Sequence, residues 1–395
     1  MTTTFQNLRE VRERLVHMSQ EFVSRRARID VSRLDALERG ELVPTVEELE
    51  HLASIYGVDA DQLEDEPFQL SLGDGVACLA RAPEYRDLGD AVRLKIIEAA
   101  NAARDLSQLE QLLGHSKPRW ERFKQEAPRL KAPRSLSTPP FRQGAHYAGQ
   151  LRRECGLDTN PVASMLGFVR EHFPSVVVLH ANLGSRGPAG LAFVDGLRGP
   201  TIVLNLEGKN SNACVRRVSL AHELCHINVD WNRQEPLVTI SGYLDDSTFE
   251  VEQRANAFAI RLLCPESVLA GLELDDRNAL LQRLAVYGLP YAALRLYLKN
   301  QLNEDMGRNP SAKDLAILDY GRWMTAETDA DLEHFPIAEV PPERRTEIAR
   351  TAAEAFCRGL LTRSSFATYL GVSPLCEVER VVDHYGLDMP VESVA

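Results

Sequence analysis

Two histidines four residues apart with an acid between them, His222-Glu223-Leu224-Cys225-His226, are the residues of this 395-residue chain best suited to chemistry. On a helix, positions i and i+4 share a face, so both imidazoles reach one metal ion. Glu223 stands beside them, placed to take a proton from a water polarised by that ion and to pass it to a leaving amine. Zinc suits the set, because it accepts nitrogen and oxygen donors and tolerates an open fourth position. Val215, Val218, His222, Cys225 and Val229 fall on one stripe, and Leu220, Leu224 and Ile227 on another. The spacing therefore predicts a helix apolar nearly all round, and a buried helix does not carry two histidines and a glutamate without a use. The alternative is a pair of satisfied core histidines.

A third ligand is needed. Residues 249–259 read as a helix with two candidate carboxylates. Glu252 shares its face with Ala255, Asn256, Ala259 and Leu263, the small and apolar side, whereas Glu250 lies with Arg254, Ala257 and Arg261 on a side that reads as solvent-facing. The helical face selects Glu252; the alternative is that both acids are surface groups.

Ala221-His222-Glu223-Leu224-Cys225-His226, then Glu252-Gln253-Arg254-Ala255-Asn256-Ala257-Phe258-Ala259, then Leu262-Leu263-Cys264-Pro265 resemble the ImmA/IrrE family of metallopeptidases. The resemblance spans about 143–300 and includes Gly190-Leu191-Ala192-Phe193, Ile202-Val203-Leu204-Asn205 and Leu289-Pro290-Tyr291-Ala292-Ala293-Leu294. It implies an α+β zincin-like domain in which His222, His226 and Glu252 bind Zn2+ and Glu223 is the general base. Cys225 stands where the family has Gly, and Cys264 where it has Met. An oxyanion stabiliser is also expected, from Tyr243 or His180. The edge of the run 190–194 is expected to pair with an extended peptide substrate.

The remaining elements must position these groups. Residues 143–305 open with two helices (about 142–155 and 160–172), followed by three β-like runs, 176–179, 191–194 and 201–204. Helices dominate after 212, an α+β order. The first 67 residues read instead as four or five short helices, with Ser19 capping the second, Asp30 the third and Pro44-Thr45 opening the fourth. Ser19-Gln20, Val31-Ser32-Arg33, Leu37-Glu38-Arg39-Gly40 and Pro44 resemble the Cro/Xre-type helix-turn-helix domain, with Arg28 at a turn position where the family has Gly. The resemblance implies DNA binding, with Ser32 and Arg33 reaching base edges, Arg28 and Arg39 contacting phosphates, and Arg25 and Arg26 assisting. A protein-interaction domain on the same fold is the alternative, since residues 1–40 carry eight arginines against six acids.

Between these domains, 68–142 reads as an amphipathic helix over 84–114, for packing or homodimerisation, and a Pro- and base-rich linker over 116–142. In that linker Trp120 and Phe123, interleaved with Arg119, Arg122 and Lys124, offer an auxiliary nucleic-acid contact. Residues 306–395 read as a helical C-terminal domain for packing or partner binding, with no visible chemistry. The predicted protein is therefore multidomain: all-α, then α+β, then helical.

Composition narrows the setting. Seven scattered cysteines argue against a disulfide framework, no apolar stretch is long enough for a membrane span, and the first residues lack a secretion signal. A reducing cytoplasm is expected, with no membrane contact. The net charge of −12 hides an uneven distribution, since 41–66 carries nine acids and no Lys or Arg. The combined expectation is a DNA-associated zinc endopeptidase that cuts a regulatory protein, by resemblance a repressor in a stress, mobile-element or defence response. Its rivals are a regulator that uses a peptidase-like domain only as a sensor, and one that severs its own 116–142 segment.

Overall fold

The computed structural model describes residues 6–64, 79, 82–135, 137–242, 249–269, 277–302 and 306–388. The N-terminal bundle begins with α1 (Gln6–Glu10), which widens into a π-helical turn over Val11–Leu15, and continues through α2 (Gln20–Ala27), α3 (Val31–Glu38), α4 (Val46–Tyr56) and α5 (Ala60–Glu64). The expected caps are in place. Ser19 accepts from the Phe22 N–H, Asp30 from Ser32, and Thr45 forms a reciprocal capping box with Glu48. Leu8, Val23, Leu34, Leu37, Leu52 and Tyr56 close the core. Arg28 adopts the left-handed conformation (φ 59°) of the turn between α2 and α3, so the turn survives without glycine, at a cost of roughly 1–2 kcal/mol.

Helix α6 (Asp90–Leu112) belongs to two cores at once. Leu94 and Ile97 complete the helix-turn-helix core, whereas Ile96, Ala99, Ala103, Leu106 and Leu109 pack toward the β-sheet. Polar ties reinforce the first contact. The Ser19 N–H and hydroxyl donate to Asp90 (3.1 and 2.5 Å), Arg26 pairs with Glu98 (3.0 Å), and Asn101 donates to the Ser54 carbonyl (3.1 Å). The amphipathic pattern read from the sequence is thus used within one chain.

The sheet consists of β1 (Val177–Ala181), β2 (Gly190–Asp195), β3 (Gly199–Asn205) and β4 (Leu237–Ser241), in the order β1-β3-β2-β4. β1 runs parallel to β3, and the other two pairings are antiparallel. Side chains alternate between the faces, as the pleat requires. Val178, Ala192, Val194, Ile202 and Leu204 meet one layer of helices: α8 (Pro140–Glu154), α9 (Met165–His172), α10 (Ala213–Cys225) and α11 (Glu250–Leu263). Val177, Leu179, Leu191, Phe193 and Val203 meet α6 together with the C-terminal helices 347–357, 363–370 and 379–384. The C-terminal helices therefore cover the face of the sheet opposite the helix that carries the histidine motif. β4 was not anticipated, and it corrects the expected substrate edge. β2 lies between β3 and β4, so the backbone of 190–194 is already paired on both sides.

The segment read as a linker is a packed strap. Helix α7 (Arg119–Glu126) buries Phe123, whose ring centroid lies 6.3 Å from that of Phe173 and 5.8 Å from that of Trp231. Arg119 and Arg122 pair with Glu110, and the Lys124 ammonium sits over Trp120. These groups are engaged within the chain, which corrects the reading of a solvated linker and speaks against the auxiliary nucleic-acid contact weighed as its alternative. Beyond α7 the strap is tied down where the Lys131 N–H donates to Gln150 (3.0 Å) and its carbonyl accepts from the same side chain (2.7 Å). We predict that Phe123→Ala lowers unfolding free energy by about 3–5 kcal/mol in urea denaturation, as for a large aromatic lost from a core. A loss of only a few tenths of a kcal/mol would restore the linker reading.

Candidate metal centre

Helix α10 starts at Asn212, whose side chain accepts from the Cys214 N–H, and runs through the motif into a π-helical turn over His226–Asp230. Its packing against the sheet and α11 leaves Glu223 and His226 fully buried and His222 only 5% exposed. Cys225 faces the apolar core, where burial keeps its thiol well above the usual range, so it acts as a packed neutral side chain.

The donor atoms converge. His222 Nε2 and His226 Nε2 are 3.0 Å apart, and the Glu252 carboxylate lies 3.1 Å from the first and 3.4 Å from the second. Tetrahedral zinc with bonds of about 2.0–2.1 Å sets its donors roughly 3.3 Å apart, so the three groups form one face of such a tetrahedron. The tautomers agree. His222 Nδ1 lies 2.9 Å from Asn256 Oδ1 and His226 Nδ1 lies 2.8 Å from Asp230 Oδ2. Both oxygens only accept, so each Nδ1 carries a proton and the Nε2 atoms face the Glu252 carboxylate. Among the described residues these three are the only grouping of metal-ligating side chains within such reach.

The electrostatics point the same way. Burial opposes charge on His226, yet hydrogen bonds to Asp230 and Glu252 outweigh it and raise its pKa to about 10. Burial also pushes the Glu252 carboxyl up, but the two imidazoles overcome this and hold it far below the usual carboxylate range. The surroundings are built to hold positive charge. Glu223 differs. Burial raises its pKa, opposed by the neighbouring imidazoles and the Ser241 hydroxyl, and neither of its oxygens has a hydrogen-bond partner in good geometry. A buried carboxylate left with free lone pairs is costly for folding and suited to take a proton.

Glycine brings the sheet close. At Gly190 a Cβ would lie 2.9 Å from Glu223 Oε1 and 3.0 Å from its Cγ, so β2 can approach the acid only without a side chain. The open side of the site is a narrow cleft lined by Ala189, Val218, Ser219, His222, Glu223, Gly242 and Asn256. Asp230, Gly190 and Ser241 were missed in the sequence. Asp230 alone had a local signal, lying four residues beyond His226 on the motif's own helix.

The two candidates for an oxyanion stabiliser fare differently. Tyr243 lies outside the described residues. His180 is buried and lines a different cavity with Arg216, Asp329 and Arg345, sharing no lining residue with the cleft. Burial lowers its pKa to about 4, so it is a neutral ring held away from the metal-ligating side chains, which corrects the sequence expectation.

The expected DNA contacts are largely engaged within the chain. The Ser32 hydroxyl donates to Asp30 (2.5 Å), and Arg33 sets a two-pronged fork on Glu48 (2.5 and 2.8 Å) that holds that carboxyl down at about 2. Arg39 pairs with Asp35 and Glu41. Arg28 is exposed at the turn and, with Arg25, forms no ion pair among the described residues.

Comparison with known families agrees with this division. The family model described as a helix-turn-helix domain matches residues 6–65, and the peptidase family model described as an IrrE N-terminal-like domain matches residues 174–299. No curated protein and no solved structure matches the chain. The first match supports DNA binding, and the second covers the sheet, the histidine motif and Glu252. The chain thus joins an Xre-like helix-turn-helix domain to an IrrE-like peptidase domain, which is the architecture of the ImmA/IrrE family.

Proposed function

We propose that this chain is a cytoplasmic, DNA-associated zinc endopeptidase that cuts a regulatory protein, with a transcriptional repressor as the substrate class. The convergence of two imidazole nitrogens and the Glu252 carboxylate beside a buried, unpartnered Glu223 carries this reading. His222, His226 and Glu252 would hold a zinc ion, which would supply Lewis acidity toward a water and the scissile carbonyl. Glu223 accepts the proton of that water and delivers it to the departing amine. Asn256 and Asp230 keep the two rings turned inward, and the apolar surroundings exclude bulk water.

The purified chain is expected to bind one zinc ion. Glu223→Gln should retain zinc while partner cleavage falls by roughly 10²- to 10⁴-fold, as expected for loss of a general base. His226→Ala and Glu252→Ala should lose the ion, measured by metal analysis after dialysis. Equal cleavage by wild type and Glu223→Gln would leave a contaminating protease as the explanation. Zinc binding with no cleavage of any co-regulated repressor would favour a sensor.

For DNA, the acids paired with the helix-turn-helix arginines compete with phosphate. Glu98→Gln frees Arg26 and should tighten binding several-fold at low salt while steepening its salt dependence by about one counterion. Fluorescence anisotropy titrations at two salt concentrations read both quantities. An unchanged affinity and slope would place Arg26 away from the DNA.

A further inference from the structure

We propose that Asp230, Arg254 and Gln143 form a chain of positioning residues that orients His226, anchored by a glycine contact between α8 and α11. The inference rests on the metal-centre reading and extends it to groups that never touch the ion.

The chain starts at the π-helical turn. The Trp231 N–H donates to the His226 carbonyl (2.9 Å), and this wider turn carries Asp230 alongside the imidazole. Asp230 divides its two oxygens. Oδ2 meets His226 Nδ1 at 2.8 Å, while Oδ1 accepts from Arg254 Nε (2.8 Å) and Nη2 (2.5 Å). The two guanidinium donors pin Oδ1 while Oδ2 meets the ring, and the carboxylate held between them sets the direction in which His226 Nε2 points. Arg254 lies on α11 between the ligand Glu252 and Asn256, the partner of His222. One stretch of helix thus carries a metal ligand and the support of both histidines.

The second anchor is α8. Arg254 Nη1 donates to Gln143 Oε1 (3.1 Å). The next residue, Gly144, lies against the α11 backbone, where an added Cβ would sit 2.1 Å from the Arg254 carbonyl oxygen and 2.8 Å from the Phe258 nitrogen. A methyl group there must push the two helices apart and draw Arg254 away from Asp230. The path from the strap side of the molecule to the metal ligand therefore runs Gln143 and Gly144, Arg254, Asp230, His226.

Zinc affinity, measured by competition with a chromophoric chelator, tests this without any assay of catalysis. Asp230→Asn keeps the shape and loses the charge. It should weaken zinc binding by roughly 10- to 100-fold, with Arg254→Met close behind and half-buried Gln143→Ala a few-fold. Thermal melts of the zinc-free proteins supply the control, because a purely structural role lowers these melts without changing the affinity of the folded protein. Affinities of Asp230→Asn and Arg254→Met within about twofold of a zinc-binding wild type would overturn the proposal. If Asp230→Asn does not fold, Gln143→Ala decides in the same way. A wild type that binds no zinc would remove the metal centre itself and the positioning chain with it.

Discussion

Burial of negative charge beside two imidazoles is the constraint on which the rest of the structure depends. Glu223 and His226 are fully buried, and Glu252 and Asp230 are largely so, within a layer made mainly of aliphatic and aromatic side chains. Carboxylates in such a place are tolerated only when paired, hydrogen-bonded or metal-bound. Asp230 is satisfied by Arg254 and His226, whereas Glu252 faces the two inward nitrogens as one acceptor beside two others, a set that a cation would satisfy, and Glu223 has no hydrogen-bond partner in good geometry. A fold under selection for stability alone would place apolar side chains here. The arrangement is intelligible as one that trades stability for a cation and a base.

The layers around the sheet hold that arrangement rigid. On one face, α10 and α11 carry His222, His226 and Glu252; on the other, α6 and the C-terminal helices fill a separate core. Because α6 also completes the helix-turn-helix core, the described N-terminal bundle packs directly against the helix that covers the back of the sheet. Any shift of α2 against α6 must either break the Asp90 and Glu98 contacts or move α6 against the back of the sheet.

How much of this was legible in the sequence follows from the range of each interaction. The histidine motif and Glu252 were readable because helical periodicity places i and i+4, and the small-residue face of 250–263, without knowledge of the fold. The caps at Ser19, Asp30 and Thr45 were readable for the same local reason. β4 was not, since Leu237–Ser241 is short and exists by pairing with β2, more than forty residues earlier. His180 misled because its type suited the chemistry while its strand carried it to another cavity. The strap misled because prolines and bases dominate its composition, while the residues that fix it, Phe123 and Arg119, contribute through distant partners such as Trp231 and Glu347. The C-terminal layer escaped for the same reason, its apolar faces being matched by strands far away in the chain.

One long-range contact ties α10, the helix of the histidine motif, to the region after the peptidase match. Arg217, one turn and a half before His222, is fully buried. It pairs with Glu327, and its guanidinium stacks over the Trp323 ring at 4.0 Å. Glu327 also accepts from the Met165 and Leu166 N–H groups, so it caps α9 while it neutralises Arg217. Removing either partner strands a buried charge, a loss on the order of 3–5 kcal/mol, whereas the intact pair contributes little net stability. Such a pair is better understood as a device that fixes position. It sets α10 against α9 at the end opposite the π-helical turn, so the stretch carrying His222, Glu223 and His226 is held from both ends.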